Sequence, residues 1–211
     1  MGNITALDYF NDLSSKTIDI TATKINKCND FSSIDAEFVL RYADENSTVL
    51  DIASGTGITV NKYYNKVKKV VALEKFKNFS DFIVKDPKIE IINIDMFDFN
   101  TNEKFDIITL FGIMHYVSTD EAIIIYKKFK KFLKPQGKLL VKQQFGVNED
   151  VIINGYSEEL KSDYYSEYRH IDKEVEILNK IGFKNVEVHD IYPPEANRWD
   201  NTHFWAIVGE K

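Results

Sequence analysis

Residues 48–57 read T-V-L-D-I-A-S-G-T-G, a stretch whose residue types and spacing can hold a ligand. Val49, Leu50 and Ile52 form a short apolar run, as a buried parallel strand does. Asp51 interrupts it, and a carboxylate there costs free energy unless a donor or an opposite charge meets it. Gly55 and Gly57 follow, and residues 58–65 can continue as a helix. A strand, a turn of small residues and a helix start present backbone N–H groups to a nucleotide-like ligand. A dinucleotide fingerprint is incomplete, because Val60 stands where its third glycine belongs, and the Gly-Lys-Ser/Thr of a P-loop is missing. Glu74 ends a second apolar run at 69–73. A carboxylate in that place can accept two hydrogen bonds from the vicinal hydroxyls of a ribose. His115 follows another apolar run, and its ordinary pKa suits proton transfer near neutrality. It can equally serve as a structural histidine bonded to a neighbouring loop.

These residues need elements to position them. The periodicity predicts a helix over 30–43, capped by Ser32 or Ser33, with Phe31, Ile34, Phe38, Val39 and Tyr42 on one face. Strands are expected at 48–52, 69–73, 89–92, 106–111 and 138–145. Helices are expected at 76–84 and from Ser118 or Thr119 to 133, the second with Ile123, Ile124, Tyr126, Phe129 and Leu133 inward. Pro135-Gln136-Gly137 reads as a turn. This alternation demands a mainly parallel sheet with helices on both faces. The tail differs: a helix over 172–181 ends at Gly182, and strands over 183–192 and 203–208 flank a loop, which makes an antiparallel pair at one sheet edge.

With 27 Lys plus Arg against 33 Asp plus Glu, the net charge is −6, which argues against a general nucleic-acid binder. No apolar run reaches membrane-spanning length, and the N-terminus lacks a signal-peptide pattern. The single Cys28 excludes an intrachain disulfide and a cysteine-rich metal cluster, and a reducing cytoplasm is the expected compartment. At 211 residues one domain is expected.

The stretch 48–57 resembles the first motif of class I S-adenosylmethionine-dependent methyltransferases, an acidic residue and then G-x-G-x-G. Asp51, Gly55 and Gly57 match it, and Ala53 replaces the first glycine. Residues 133–140, L-K-P-Q-G-K-L-L, resemble the family's L-K-P-G-G-x-L-L turn, with Gln136 for a glycine. The resemblance implies a Rossmann-like seven-stranded sheet with an antiparallel last strand. It implies one methyltransferase domain over 1–211, with an N-terminal cap over 1–45, a cofactor core over 48–145 and an acceptor-side region over 146–211. The implied cofactor is S-adenosyl-L-methionine, with S-adenosyl-L-homocysteine as product. Asp51 would lie near its ammonium group, with Ala53, Ser54, Gly55 and Gly57 forming the turn. Glu74 and Lys75 would meet the ribose, and Asp95 (Asp98 competes) and Met96 the adenine. Phe111 and Gly112 would meet the methionine portion. Phe76 either packs on adenine or joins the core, and Asp95 has the alternative of closing an Asx turn.

The resemblance implies methyl transfer to a small-molecule acceptor, with an oxygen nucleophile and His115 as its base. Acceptor contacts are expected from Tyr9 in a lid and from two polar, aromatic clusters, which contain Tyr165, Tyr168, Arg169 and His170, and Arg198 and Trp199. Either arginine could grip a phosphate or carboxylate, or form a surface ion pair. The Y-R-H and N-R-W-D-N-T-H-F segments also resemble bacterial enzymes of sugar and capsule methyl phosphoramidate pathways. No metal site, nucleic acid or membrane insertion is expected, and the chain is expected as a monomer or homodimer. The rivals are transfer to an amino sugar nitrogen, another alkyl transfer on the same scaffold, and a non-catalytic sensor or partner subunit.

Overall fold

A computed structural model describes residues 2–16, 19–23, 30–158 and 162–211. Cys28 lies outside them. The chain opens with α1 (Ile4–Lys16) and α2 (Ser32–Leu40), followed by β1 (Thr48–Ile52) and the single turn α3 (Val60–Tyr63). β2 (Lys69–Leu73), the turn α4 (Lys77–Ser80), β3 (Ile89–Ile92) and β4 (Phe105–Phe111) come next. Then follow α5 (Thr119–Phe132), β5 (Leu133–Gly146), β6 (Val151–Ser157), β7 (Ser162–Tyr168), α6 (Ile171–Ile181), β8 (Lys184–Asp190) and β9 (Thr202–Glu210).

Seven strands form one sheet in the order β3-β2-β1-β4-β5-β9-β8. β9 runs antiparallel to both neighbours, and the other pairings are parallel. This is the Rossmann-like methyltransferase sheet expected above. β1, an interior strand flanked by β2 and β4, is buried at every residue, as its apolar run requires. One face packs α5 and α6 through Ala122, Tyr126, Phe129 and Leu178, and the other packs α2 and α3 through Phe38, Val39, Val60 and Tyr63. Among the described residues no helix is long and apolar enough to cross a membrane.

Several local expectations change. Ser32 is the first residue of α2 and does not cap it. Asp30 does that work, its Oδ1 accepting the Ser32 amide at 3.0 Å. The helix expected at 76–84 stops after Ser80, because the Asn61 side chain satisfies Phe82 O and the Val84 amide without helical bonds. On α5, Ser118 caps with a full capping box. The buried stripe runs through Ala122, Ile125, Tyr126, Phe129 and Phe132. Ile124 is therefore 56% exposed, one step off that stripe. The turn at 135–137 appears as an irregularity within β5, with Gln136 at φ 65°, where the pairing with β4 jumps from Phe105–Leu133 to Ile107–Lys138. The sequence reading also missed the β6–β7 hairpin. Its signal was the period-two burial of Tyr164, Ser166 and Tyr168. α1 packs on this hairpin through Ala6 and Phe10, against Tyr116 and Tyr164.

Candidate active site

The carboxyl ends of β1, β2, β4 and β5 open into a cavity of about 320 Å³. An open parallel sheet places ligands at this edge. After β1 the chain turns through Ala53, Gly55 and Gly57 at φ 57°, 56° and 74°. Such angles suit glycine, so Ala53 carries strain of about 1–2 kcal/mol. Ala53, Ser54 and Gly55 line the cavity. Gly57 does not; a Cβ there would lie 2.6 Å from Ile83 Cγ1, so packing is what demands glycine. Thr23 crosses over this turn, its hydroxyl 3.1 Å from that of Thr56.

Asp51 and Glu74 stand at the tips of adjacent strands and both face the cavity. Burial pushes Asp51 up to about 6 against the pull of hydrogen bonds from the Thr109 hydroxyl and Ser54. Glu74 is raised by burial as well, although its oxygens accept the amides of Gly55 at 2.8 Å and Phe76 at 2.9 Å. Each oxygen keeps a lone pair for a ligand hydroxyl. Lys75 and Asp95 also line the wall, joined by an ion pair of 3.0 Å. Burial would raise Asp95, but the Phe97 amide and Lys75 together hold it below the usual range. The Phe97 bond makes Asp95 an Asx turn while leaving it at the cavity. Met96, Phe76, Phe111 and Gly112 complete this half, and the space where a Cβ on Gly112 would point is open.

His115 rides on a 3₁₀ turn, Met114–Tyr116, after β4. Its ring stacks on Tyr168 at 5.1 Å and 14°, and Nδ1 lies 3.4 Å from Gln143 Oε1. Burial first, then the charges of Arg198, Arg169 and Lys142, push its pKa down to about 3, against the opposing pull of Gln143. At neutral pH it is an uncharged imidazole.

Of the expected acceptor residues, only Tyr168 and Arg198 reach the cavity. Arg169 is wholly buried elsewhere. Its guanidinium donates to Met114 O at 2.7 Å, to Val117 O at 2.8 Å and to Glu174 at 2.5 Å. A buried guanidinium must use its donors internally, so Arg169 is a clamp on the turn that carries His115. His170 precedes α6 and bonds Val147 O. Trp199 stands behind Tyr168, donating to its hydroxyl at 3.0 Å. Tyr165 and Tyr9 lie outside the cavity; the α1 residues that reach it are Leu7 and Phe10. Tyr9 lies one residue from Phe10, about 100° away around α1, and so does not share the face of Leu7 and Phe10.

The structure adds residues that the sequence reading passed over. Lys142, Gln143 and Gln144 lie near the end of β5, all buried and all at the cavity. Lys142 Nζ bonds Asp35 at 2.9 Å and the Tyr192 hydroxyl at 3.0 Å. The available signal was three consecutive polar residues closing an apolar strand, facing the one carboxylate on the apolar side of α2.

The sequence profile described as a methyltransferase domain matches residues 49–137. The match spans less than half of the chain. A comparison with curated proteins finds no match. Among solved structures the fold is similar to that of the DhpI–SAH complex, with TM-score 0.74, 17% identity, and 98% of this chain and 95% of that one covered. It is also similar to 1,6-didemethyltoxoflavin-N1-methyltransferase from Burkholderia thailandensis, with TM-score 0.70, 14% identity, and 99% and 88% covered. The N-methyltransferase NodS from Bradyrhizobium japonicum is a third, with TM-score 0.69, 15% identity, and 96% and 98% covered. At these identities the likeness is one of fold. The matched range contains Asp51, Glu74, Asp95, Gly112 and His115. The opposite cavity wall, with Asp35, Lys142, Gln143, Gln144, Tyr168 and Arg198, lies outside the matched range.

Proposed function

We propose that this chain is a methyltransferase that carries the methyl group of S-adenosyl-L-methionine to an oxygen nucleophile on a small molecule. The observation that carries the reading is one cavity faced by Asp51 and Glu74 from adjacent strand tips and by His115 from the other side. The cofactor supplies a methyl group on a cationic sulfur, which leaves as a neutral thioether. Asp51 pairs with the cofactor's ammonium, Glu74 accepts from its ribose hydroxyls, and Asp95 and Met96 meet its adenine. The open space beside Gly112 lets the backbone approach. Phe10, Phe76 and Phe111 exclude water, and holding the two reactants in line supplies much of the rate enhancement. His115, uncharged at neutral pH, takes the acceptor's proton.

The DhpI neighbour was also solved as a SAM–HEP complex, and the neighbours from Burkholderia thailandensis and Bradyrhizobium japonicum are named as an N1- and an N-methyltransferase. Transfer to nitrogen is the second reading. The low pKa of His115 favours it, because an amine with a free lone pair needs little help from a base.

Calorimetry with S-adenosyl-L-homocysteine, followed by an assay of its release from S-adenosyl-L-methionine with alcohols, amines, amino sugars and sugar nucleotides, tests both readings. Binding plus turnover on an alcohol supports the first, and turnover on an amine alone supports the second. Binding without turnover on any acceptor would make the chain a sensor or partner subunit. No binding would remove the cofactor assignment.

A further inference from the structure

The cavity is polarised. Asp51, Glu74 and Asp95 make one end acidic, whereas Lys142, Gln143, Gln144 and Arg198 wall the other. Gln143 is fully buried there. Its Oε1 faces His115 Nδ1, and its Nε2 has no hydrogen-bond partner among the described residues. A buried amide N–H group left unmatched costs free energy that a bound acceptor oxygen would recover. Gln144 Oε1 accepts the Arg198 amide at 2.6 Å, fixing that residue at the cavity, with its guanidinium over the rings of Tyr164 and Trp199 at 5.5 and 5.2 Å. The carboxylates near this wall already have partners. Asp35 takes Lys142 and the Tyr192 hydroxyl. Asp30 takes the Ser32 amide and hydroxyl and lies 3.7 Å from Lys62.

We infer that the methyl acceptor carries an oxyanion, a phosphoryl or carboxylate group, seated against Gln143 Nε2 and the Arg198 guanidinium with Lys142 behind them. This rests on the methyltransferase reading and adds the chemical class of its substrate. A guanidinium and an amide N–H₂ are complementary to such a group. His115 fits the same arrangement. Burial first, and then the cations around it, depress its basicity, and an arriving negative charge offsets the cations' share where the proton must be taken.

The test uses the full chain saturated with S-adenosyl-L-homocysteine, titrated in calorimetry at constant ionic strength with inorganic phosphate in one arm and acetate in the other. The stronger arm distinguishes a phosphoryl from a carboxylate group. At least one anion should bind. Arg198→Gln should weaken it about tenfold, the loss expected for one charged hydrogen bond, with S-adenosyl-L-homocysteine still bound within about twofold. Gln143→Leu replaces the amide by an apolar group of similar size. It should weaken the anion several-fold, and it decides the matter if Arg198→Gln does not fold. Product binding without anion binding, or anion affinity unchanged in the folded variants, overturns this inference and leaves the methyltransferase reading intact. A chain that fails to bind the product overturns both.

Discussion

The amide of Gly55 donates to Glu74 Oε2 at 2.8 Å, tying the turn after β1 to the tip of β2. With the Phe76 amide on Oε1, this orients the Glu74 carboxylate before any ligand arrives. Preorganisation of that kind reduces the ordering cost of binding. Glu74→Ala should weaken S-adenosyl-L-homocysteine binding by about 1.5–3 kcal/mol in calorimetry. Glu74→Gln should not restore it, because the new amide N–H₂ would face a backbone donor. Affinity equal to wild type in either variant would remove Glu74 from the ribose role.

Ala53 and Gly57 both hold positive φ, but their substitutions should act in opposite directions. Ala53→Gly relieves about 1–2 kcal/mol of strain and returns about 0.4–1 kcal/mol to the unfolded chain's entropy. A net gain of up to about 1.5 kcal/mol is expected in urea denaturation. Gly57→Ala adds strain and drives a Cβ into Ile83, and should destabilise by about 2 kcal/mol or more.

Arg169 and Glu174 form a fully buried pair, to which Tyr126 also donates. Removing one partner of such a pair costs about 3–5 kcal/mol. Arg169→Lys keeps the charge but loses the fork that spans Met114 O and Val117 O. It should lower turnover more than it lowers product affinity, because the His115 turn loosens while the 51–74 wall stays. Equal losses in both quantities would make the clamp merely structural.

Asp51 should couple cofactor binding to a proton. Its folded pKa, about 6, lies above the unfolded value, so the ligand-free fold binds more protons than the unfolded chain. Its contribution is fully present below about pH 4 and is lost as pH rises through 6, by roughly 2–3 kcal/mol. Relative to wild type, Asp51→Asn should therefore gain stability across that window in urea melts at several pH values. The cofactor's ammonium favours the carboxylate, so binding near pH 6 should release a proton, read as a dependence of the calorimetric heat on buffer ionisation enthalpy. Identical heats in all buffers would contradict this.

His115 shifts the other way. Its folded pKa of about 3 lies below the usual 6.5, so stability is unaffected above that value and falls with pH as the unfolded chain protonates. His115→Gln should flatten the decline between pH 6.5 and 3. The same variant should lower turnover more than product affinity if His115 takes the acceptor's proton.

The alternation of short apolar runs with helical periods was enough to predict the parallel sheet, because strand burial and helix amphipathicity are written in local spacing. Asp51, the glycine turn and Glu74 were legible for a related reason. Each sits within a few residues of a strand end, and the sheet's regular register carries that local fact into space. The opposite wall was not legible in this way. Asp35 and Lys142 are 107 residues apart, and Arg169 belongs to the His115 turn only because its guanidinium crosses to the carbonyls of Met114 and Val117. A polar side chain's role depends on which donors and acceptors meet it once water is excluded, and that pairing exists only in the folded chain. Local sequence thus determined the scaffold and the acidic end of the cavity. Tertiary packing decided which arginine reaches the cavity and which becomes a buried clamp.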